Sequence, residues 1–558
     1  PPPGTKPDIG ASDGWWRVTV PARTWRVRNL EMRLEEPESV LLTRAASAAG
    51  IDPERVRGLR IVRRSVDARR RGKGPRLRFI VHADLVVDST YRGVKFDAAV
   101  HAGTIVEAPA VGSFRVAEPT VDRRQSRVVV VGAGPAGLYA ALVLATNGVG
   151  VDLIDRGAEL TQRSKDVARF HRTRVPNAES NILFGEGGAG TYSDGKLYTR
   201  VDDPLEVPCL EELVACGATP EILYDSRAHI GTDRLHRILP VFRGRMESLG
   251  VRFHWNTRLD GLVLDSGRPR RARAVRTSAG EMPCAAVLLA LGHSARDSMR
   301  VLHGQGVRVA AKPFQLGVRV EHPQELINRG RYGEGPEAAL LGPAYYNLVC
   351  KAGEGVPTSY SFCMCPGGQI VASTNVPGLL CTNGMSNSRH SSPWANAALV
   401  TTFGPEEFGP GPFAGVDFQK TLERSFFESG GGDYTAPAQN TEDFLAGRST
   451  AKPRHSSYVF GTCAGRIDTL LPPVARDAIA RALLKFERQI PGFSTAAGLL
   501  VGLESRSSGP IRLPRDADTL VAEGFDNLYP IGEGAGYAGG IMSAAIDGAR
   551  SALRYLRG

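Results

Sequence analysis

The sequence predicts an α/β chain: a doubly wound parallel unit, interrupted by a mainly antiparallel insertion and preceded by a small α+β module. Three observations predict it. Arg127–Asp155 reads as strand, glycine turn, helix and strand. Asn527–Gly548 repeats strand, glycine turn and helix at the end of the chain. From 299 to about 520 the chain breaks into short strand-like runs between Gly and Pro turns.

The first stretch sets the rest. Val128–Val131 is a short β-branched run of the kind that forms a buried parallel strand. It turns through Gly132-Ala133-Gly134-Pro135-Ala136-Gly137, and Leu138–Thr146 continues as an apolar helix that Asn147-Gly148 stops. A second strand, Val149–Ile154, ends on Asp155, 23 residues after Gly132. Each position suits a dinucleotide. Gly132 allows a tight turn, Gly134 lets a pyrophosphate approach the backbone, and Gly137 lets helix and strand pack. The helix N-terminus offers amides and a positive dipole end to phosphates, and Asp155 is placed to accept from an adenosine ribose. Hydropathy alone gives a rival reading, because Val128–Val151 runs 24 residues without charge, enough to cross a bilayer. Three glycines and Pro135 within six residues argue against one spanning helix.

At 558 residues two or three domains are expected. The eight cysteines form no CxxC and no zinc-like pairs, which points to a reduced compartment without a disulfide framework or a metal site. The net charge of +11 is uneven: residues 1–126 hold 23 Lys+Arg against 15 Asp+Glu, a net of +8. A basic module of this kind suits an acidic protein or polyanion partner, and a solvated arginine-rich face is the plainer reading. No secretory signal opens the chain. It begins Pro1-Pro2-Pro3, which suits a processed form. The expectation is a soluble protein without an integral membrane segment, in the bacterial cytoplasm or, after loss of a transit peptide, the chloroplast stroma.

Four segments are expected: a basic module over 1–125, a dinucleotide domain over 126–298, an inserted substrate domain over 299–520, and a closing part over 521–558. In the first, residues 1–14 read as an extended arm. Trp25–Leu34 alternates like a strand, Ser39 can cap a helix that Gly50 ends, and Leu59–Arg70 and Leu77–Val87 follow as strands around the basic turn Arg71–Pro75. Opposed strands with one helix suggest a ferredoxin-like arrangement.

After Asp155 comes a second glycine loop, with five glycines in the eleven positions from Gly185 to Gly195. Its Gly187, Gly188, Ala189, Gly190 and Thr191 can meet a ligand with backbone amides. Val251–Leu264 reads as strand pairs, and Ala285–Gly292 as a buried strand ending in glycine. Near the end, Gly532-Glu533 follows a strand, and Gly539-Gly540-Ile541-Met542 opens a helix. A phosphate-rich ligand reached from both ends of one domain fits FAD, which is long, better than NAD.

These residues resemble the glutathione reductase-like FAD fold. Gly132–Gly137 and Asp155 are similar to its first FAD motif, Ala290-Leu291-Gly292 to its central strand motif, and Gly532-Glu533 to its closing motif with Glu in place of Asp. Over most of its length the chain resembles the poorly characterised FAD-dependent dehydrogenase, or NAD(P)/FAD-dependent oxidoreductase, family of bacteria and plastids. The segments that carry this are Arg64–Arg69, Phe184–Leu197, Lys312–Pro323, Ser361–Gly368, Thr382–Ser386, Gly502–Arg506 and Gly532–Gly548. The resemblance implies FAD as cofactor, with Arg156 and Leu259 joining the glycine segments as contacts, and leaves the substrate open.

A flavin carries the hydride chemistry and the protein supplies position and electrostatics. Gly539–Met542 should bring amides to the electron-accepting edge of the ring, and Lys196 could add charge near the ring or bind a phosphate. No second GxGxxG unit follows, so NAD(P)H would meet the chain only transiently, and no CxxC favours a disulfide reductase. Cys363-Met364-Cys365 is a conceivable redox pair, with sulfurs on one face of a strand, although buried strand cysteines are commoner. Asn383, Ser386, Arg389 and His390 form a polar group with one titratable base, a candidate substrate wall. Glu504 and Arg506 could pair with each other or clamp a substrate carboxylate. Two functions follow: an FAD-dependent oxidoreductase moving a hydride to or from a small organic molecule, or a flavin-stabilised docking subunit of a larger complex, RNA-containing or plastidial, with little catalysis.

Overall fold

The computed structural model of the chain describes residues 22–71, 74–75, 77–118, 127–199 and 201–558. Two compact units result, the first made of described residues 22–69 and 77–110 with Tyr224–Ser226. In this unit β1 (Ala22–Met32), α1 (Val40–Ala49), β2 (Val56–Asp67), β3 (Arg78–Asp88), α2 (Val94–His101) and β4 (Ile105–Glu107) follow one another. The strands lie in the order β2-β3-β1-β4, every pair antiparallel, which is the ferredoxin-like arrangement. Val81, Ala83 and Leu85 of β3 alternate inward against Leu41 and Ala45 of α1. The Phe96 ring of α2 meets Trp25 edge-on at 5.2 Å.

Two local expectations differ here. Ser39 stands at the N-cap position in a helical conformation, and its side chain makes no capping bond. α2 and β4 were not foreseen, because α2 buries one residue, Phe96, and shows no apolar stripe. Gly50 does end α1, at φ 65°, where a Cβ would stand 2.6 Å from that of Lys95. Several arginines are paired: Asp84, almost fully buried, takes Arg26 at 2.7 Å and Arg60 at 3.4 Å. The N-terminal arm and the core of the basic turn, Gly72 and Lys73, fall outside the described residues.

The second unit holds most of the remaining chain. Its frame begins with β5 (Val128–Val131), α3 (Pro135–Thr146), β6 (Val151–Ile154), α4 (Leu160–Thr173), α5 (Thr232–Ser248) and β7 (Arg252–His254). A three-stranded meander, β8 (Leu259–Leu264), β9 (Ala272–Thr277) and β10 (Gly280–Pro283), follows, and then β11 (Ala286–Leu289). β7, β6, β5 and β11 pair in that order, all parallel. β5, β6 and β11 are buried along their whole length, as parallel strands covered on both faces must be.

The inserted region builds a seven-stranded sheet from β12 (Phe314–Pro323), β13 (Val349–Cys350), β14 (Ser359–Cys365), β15 (Trp394–Phe403), β16 (Ala436–Asn440), β17 (Thr462–Ala464) and β18 (Leu499–Glu504). Their order is β13-β14-β15-β12-β18-β16-β17, antiparallel except for the last pair. The chain then returns through β19 (Leu528–Pro530), which pairs parallel with β11 and gives the sheet the order 3-2-1-4-5 of a Rossmann unit. α6 (Ile541–Arg557) lies against α3, and a Cβ at Gly548 would stand 2.0 Å from the Ala136 carbonyl oxygen. Val128–Val151 is thus strand, helix and strand, and among the described residues no helix is long and apolar enough to cross a membrane.

Candidate functional site

The first glycine turn is fixed by steric limits. Gly132 has φ 108°, and a Cβ there would lie 2.2 Å from the Ala290 carbonyl oxygen. A Cβ at Gly137 would lie 1.8 Å from the carbonyl oxygen of Gly132. Gly134 is different. Its φ of −79° suits any residue, and the nearest atom to an added Cβ is Gly188 Cα at 3.8 Å. Glycine there leaves room in front of the helix, whose N-terminus carries no side-chain cap.

The second loop closes onto this turn. Gly187 N–H donates to the Ala133 carbonyl at 2.9 Å. A Cβ at Gly188 would stand 2.9 Å from Gly134 Cα, and one at Gly190 3.1 Å from Ile541. Gly188, at φ 61°, needs its missing side chain for the conformation as well. Three segments far apart in sequence therefore meet in van der Waals contact at the start of α3 and α6.

Arg163 of α4 holds the second loop together, a role that sequence reading missed. Fully buried, it donates to the Asn181, Glu186 and Gly188 carbonyls at 2.8, 2.5 and 2.8 Å, and to Thr191 Oγ1 at 3.1 Å. Burial lowers its pKa to about 10. Asp155 does comparable work. Its carboxylate accepts amides of Ala133 at 2.8 Å, Gly157 at 2.8 Å and Gly185 at 2.9 Å, and burial raises its pKa against those bonds. Three of about four acceptor positions are thus taken. Arg156 is held by Glu179 and Asp297 with its guanidinium over Phe184, 4.5 Å from the ring centroid. Leu259 is buried in the core with Val129 and Val131, and Ala290 bonds through its amide to Val131.

On the closing side, Gly532 N–H donates to Asp547 at 2.7 Å, and Arg515 anchors that carboxylate at 2.6 Å. Burial pushes the Glu533 carboxyl up to about 7, with Lys312 working in the opposite direction. At Gly292, Gly539 and Gly540 an added Cβ would meet nothing within 4 Å, so all three border open space. Met542 is buried in the core. Two uncapped helix starts and a row of open glycine backbone make a cradle suited to the phosphates of a dinucleotide.

Beyond Thr191 the same loop carries Asp194 and Lys196 into a polar cluster. Lys196 Nζ lies 3.0 Å from Asp194, 3.8 Å from Cys363 Sγ and 3.7 Å from Cys365 Sγ. Burial works against its charge, but Asp194 and the two sulfurs outweigh it and hold the pKa well above the ordinary lysine value. Lys196 is therefore neither a surface lysine nor unpartnered. Ser386 Oγ donates to Asp194 in a short hydrogen bond and lies 3.4 Å from His390 Nδ1. His390, at φ 50°, stacks on His229 at 4.0 Å. Burial keeps both imidazoles below the ordinary histidine value, His229 at about 4.

The remaining candidates separate. Glu504 and Arg506 do not pair. β18 ends at Glu504, so strand alternation no longer places Arg506, and neither residue is left to clamp a carboxylate. Glu504 pairs with the fully buried Arg319 at 2.9 Å. Arg506 pairs with Glu423 at 2.7 Å, beside Arg296 on the same carboxylate at 3.0 Å. Asn383 accepts from the neighbouring Gly384 amide, and Arg389 is exposed.

The fold and the three glycine segments define a Rossmann-type flavoprotein whose cofactor is FAD. A family model described as "FAD binding domain" matches residues 125–174, one described as "FAD-dependent protein, C-terminal domain-like" matches 313–507, and a domain of unknown function matches 25–83. An uncharacterized protein of Clostridium beijerinckii is 36% identical over 530 residues, 94% of this chain and 97% of its own. The chain belongs with it to a poorly characterised family of FAD-dependent oxidoreductases. Among solved structures, CtdE in complex with FAD is 11% identical with TM-score 0.28, covering 77% of this chain and 83% of that one. An oxidoreductase from Methanosarcina mazei is 10% identical with TM-score 0.33, covering 76% and 99%.

Proposed function

We propose that this oxidoreductase moves a hydride to or from a small hydroxylated or unsaturated organic molecule held against Asp194, Lys196, Ser386 and His390. One observation carries the reading: the loop that closes on the first glycine turn continues, within a few residues, to the carboxylate of Asp194 and the ammonium of Lys196, which there meet the Ser386 hydroxyl beside the His390 imidazole. FAD, when bound, supplies the exchange of the hydride. The chain's own groups deal with the accompanying proton. Ser386 Oγ donates to the Asp194 carboxylate, so it can pass a proton between substrate oxygen and that carboxylate. His390 Nδ1 donates to the Pro366 carbonyl at 2.8 Å, which leaves Nε2 as the position at which the largely neutral ring can accept a proton. Lys196 can stabilise negative charge on a substrate oxygen.

The test is anaerobic photoreduction of the holoprotein, followed by reoxidation with a panel of quinones, enones and oxygen. Ser386→Ala should keep its flavin and lose about 10²-fold or more in reoxidation rate by the preferred acceptor. An unchanged rate would remove the cluster from the reaction. A second reading concerns the N-terminal sheet, where the exposed Arg63 and Arg28 reinforce the lowering that burial imposes on His82. Such a face supports docking to a polyanion.

A further inference from the structure

We infer that Cys363 and Cys365 form a redox-active dithiol that exchanges two electrons with the bound flavin, with Lys196 and Arg319 as positioning residues. The inference rests on FAD binding and not on the hydride reading above: it shares Lys196 with that reading, but its electrons pass through the two sulfurs.

Four observations lead to it. First, both sulfurs face one ammonium, at 3.8 and 3.7 Å, so they cannot lie farther apart than those two distances together. A disulfide needs Cα atoms within about 6.8 Å, close to the ~6.5 Å of a regular i, i+2 strand pair, so the local backbone geometry decides the fit. Second, the pair sits at a bulge. Phe362 pairs with Ala398 and Cys365 with Asn396, so Cys363 and Met364 together oppose Ala397. Cys363 takes the left-handed position of that bulge at φ 44°, where glycine is usual. A cysteine there costs about 1–2 kcal/mol of backbone strain, of the kind retained where a side chain must be aimed. Third, a second cation backs the pair: Arg319, itself fully buried, donates to the Cys363 carbonyl at 3.0 Å and lies 3.8 Å from Cys365 Sγ. Fourth, the two thiols are not equivalent. Cys363 keeps part of its surface accessible while Cys365 is fully buried.

The electrostatics agree with this division. The Cys365 thiol donates to the Cys363 carbonyl at 3.4 Å. The neighbouring thiol, Lys196 and Arg319 favour charge on Cys363 against the effect of burial, so its pKa lies below the ordinary thiol range. Cys365 is held well above that range by the neighbouring Cys363 and by burial. Cys363 is thus the thiolate and Cys365 the thiol.

The exchange balances. As the Cys363–Cys365 S–S bond forms, the Cys365 S–H bond breaks, and two electrons and one proton leave the pair. Oxidised FAD takes up both and becomes its reduced anion. In reverse, reduced flavin opens the disulfide. An external small disulfide could then be reduced by the dithiol, which would give the chain a thiol–disulfide activity without a CxxC.

The test uses air-equilibrated holoprotein in two measurements. In anaerobic dithionite titration the wild type should accept twice as many electrons per chain as the flavin alone, and Cys363→Ser and Cys365→Ser only the flavin's share. In pulse alkylation with mass mapping, Cys363 of the reduced protein should react as a thiolate at pH 6. Lys196→Met should slow that reaction by about tenfold or more, through a pKa rise of at least a unit. A wild-type uptake equal to that of flavin alone, with both thiols still alkylated after air exposure, would overturn the inference. If the serine variants misfold, the mapped disulfide and its reopening by photoreduced flavin decide the matter in the wild type. Opening by added glutathione but not by reduced flavin would refute the internal exchange.

Discussion

Gly134→Val separates the cofactor from the fold. Backbone strain is absent at φ −79°, and the nearest heavy atom to the new Cβ is 3.8 Å away, an ordinary contact. The cost to the apo-protein should be about 1 kcal/mol, that of a poorer helix start. The flavin is affected more. The side chain fills the space before the uncapped α3 terminus and displaces a phosphate from two or three amides, each worth about 1.5 kcal/mol as a charge-assisted contact. Together that is about 3–4.5 kcal/mol, a weakening of roughly 10²- to 10³-fold. Gly137→Ala provides the contrast. Its Cβ would meet a carbonyl oxygen at 1.8 Å, so strand and helix must part, at about 3 kcal/mol or more in stability. Flavin absorbance per chain and thermal unfolding of the apo-proteins read the two effects apart. Full flavin occupancy in Gly134→Val would refute the assignment of the turn.

Further outcomes follow from the same structure. Arg163→Met should cost about 3–5 kcal/mol in denaturant unfolding and loosen flavin, because four acceptors lose one buried donor. An unaltered midpoint would contradict it. The Glu533 carboxyl is raised to about 7 from about 4.3 in the unfolded chain, so its contribution is fully present below pH 4 and is lost as pH rises through 7. Apo-protein stability should fall by about 2–3 kcal/mol between pH 5 and 8, and Glu533→Gln should flatten that fall. A chain starting near Gln125 should keep its flavin and elute from heparin at lower salt than the full chain. Equal elution would remove the polyanion role of the N-terminal module.

What was legible in the sequence was local. Gly132, Gly134, Gly137 and Asp155 work through spacing along one strand–turn–helix–strand, and the parallel sheet follows from that pattern. The opposed strands of the N-terminal module were equally readable as period-two alternation, while α2, with one buried residue, left no periodic trace. The polar cluster was only half legible. Lys196, Ser386, His390 and the two cysteines attracted notice by type, but nothing marked Asp194 and Arg319 as the groups that join them. Lys196 and Cys363 are 167 positions apart, and Arg319 and Glu504 are 185 apart. No pattern along the chain signals such pairs, because they are set by how the antiparallel sheet meets the glycine loop. Arg163 escaped for the same reason, since its acceptors lie 18 to 28 positions further on, in the second glycine loop and the stretch before it. Glu504 and Arg506 misled because alternation was extended one step past the end of a strand.

The most direct measurement is a crystal structure of the holoprotein with FAD in place. The account predicts the pyrophosphate against the amides after Gly134 and beside Gly188, with the ring passing the Gly539–Met542 helix start toward Lys196. A pyrophosphate bound elsewhere, or a ring turned away from the Lys196 cluster, would contradict it.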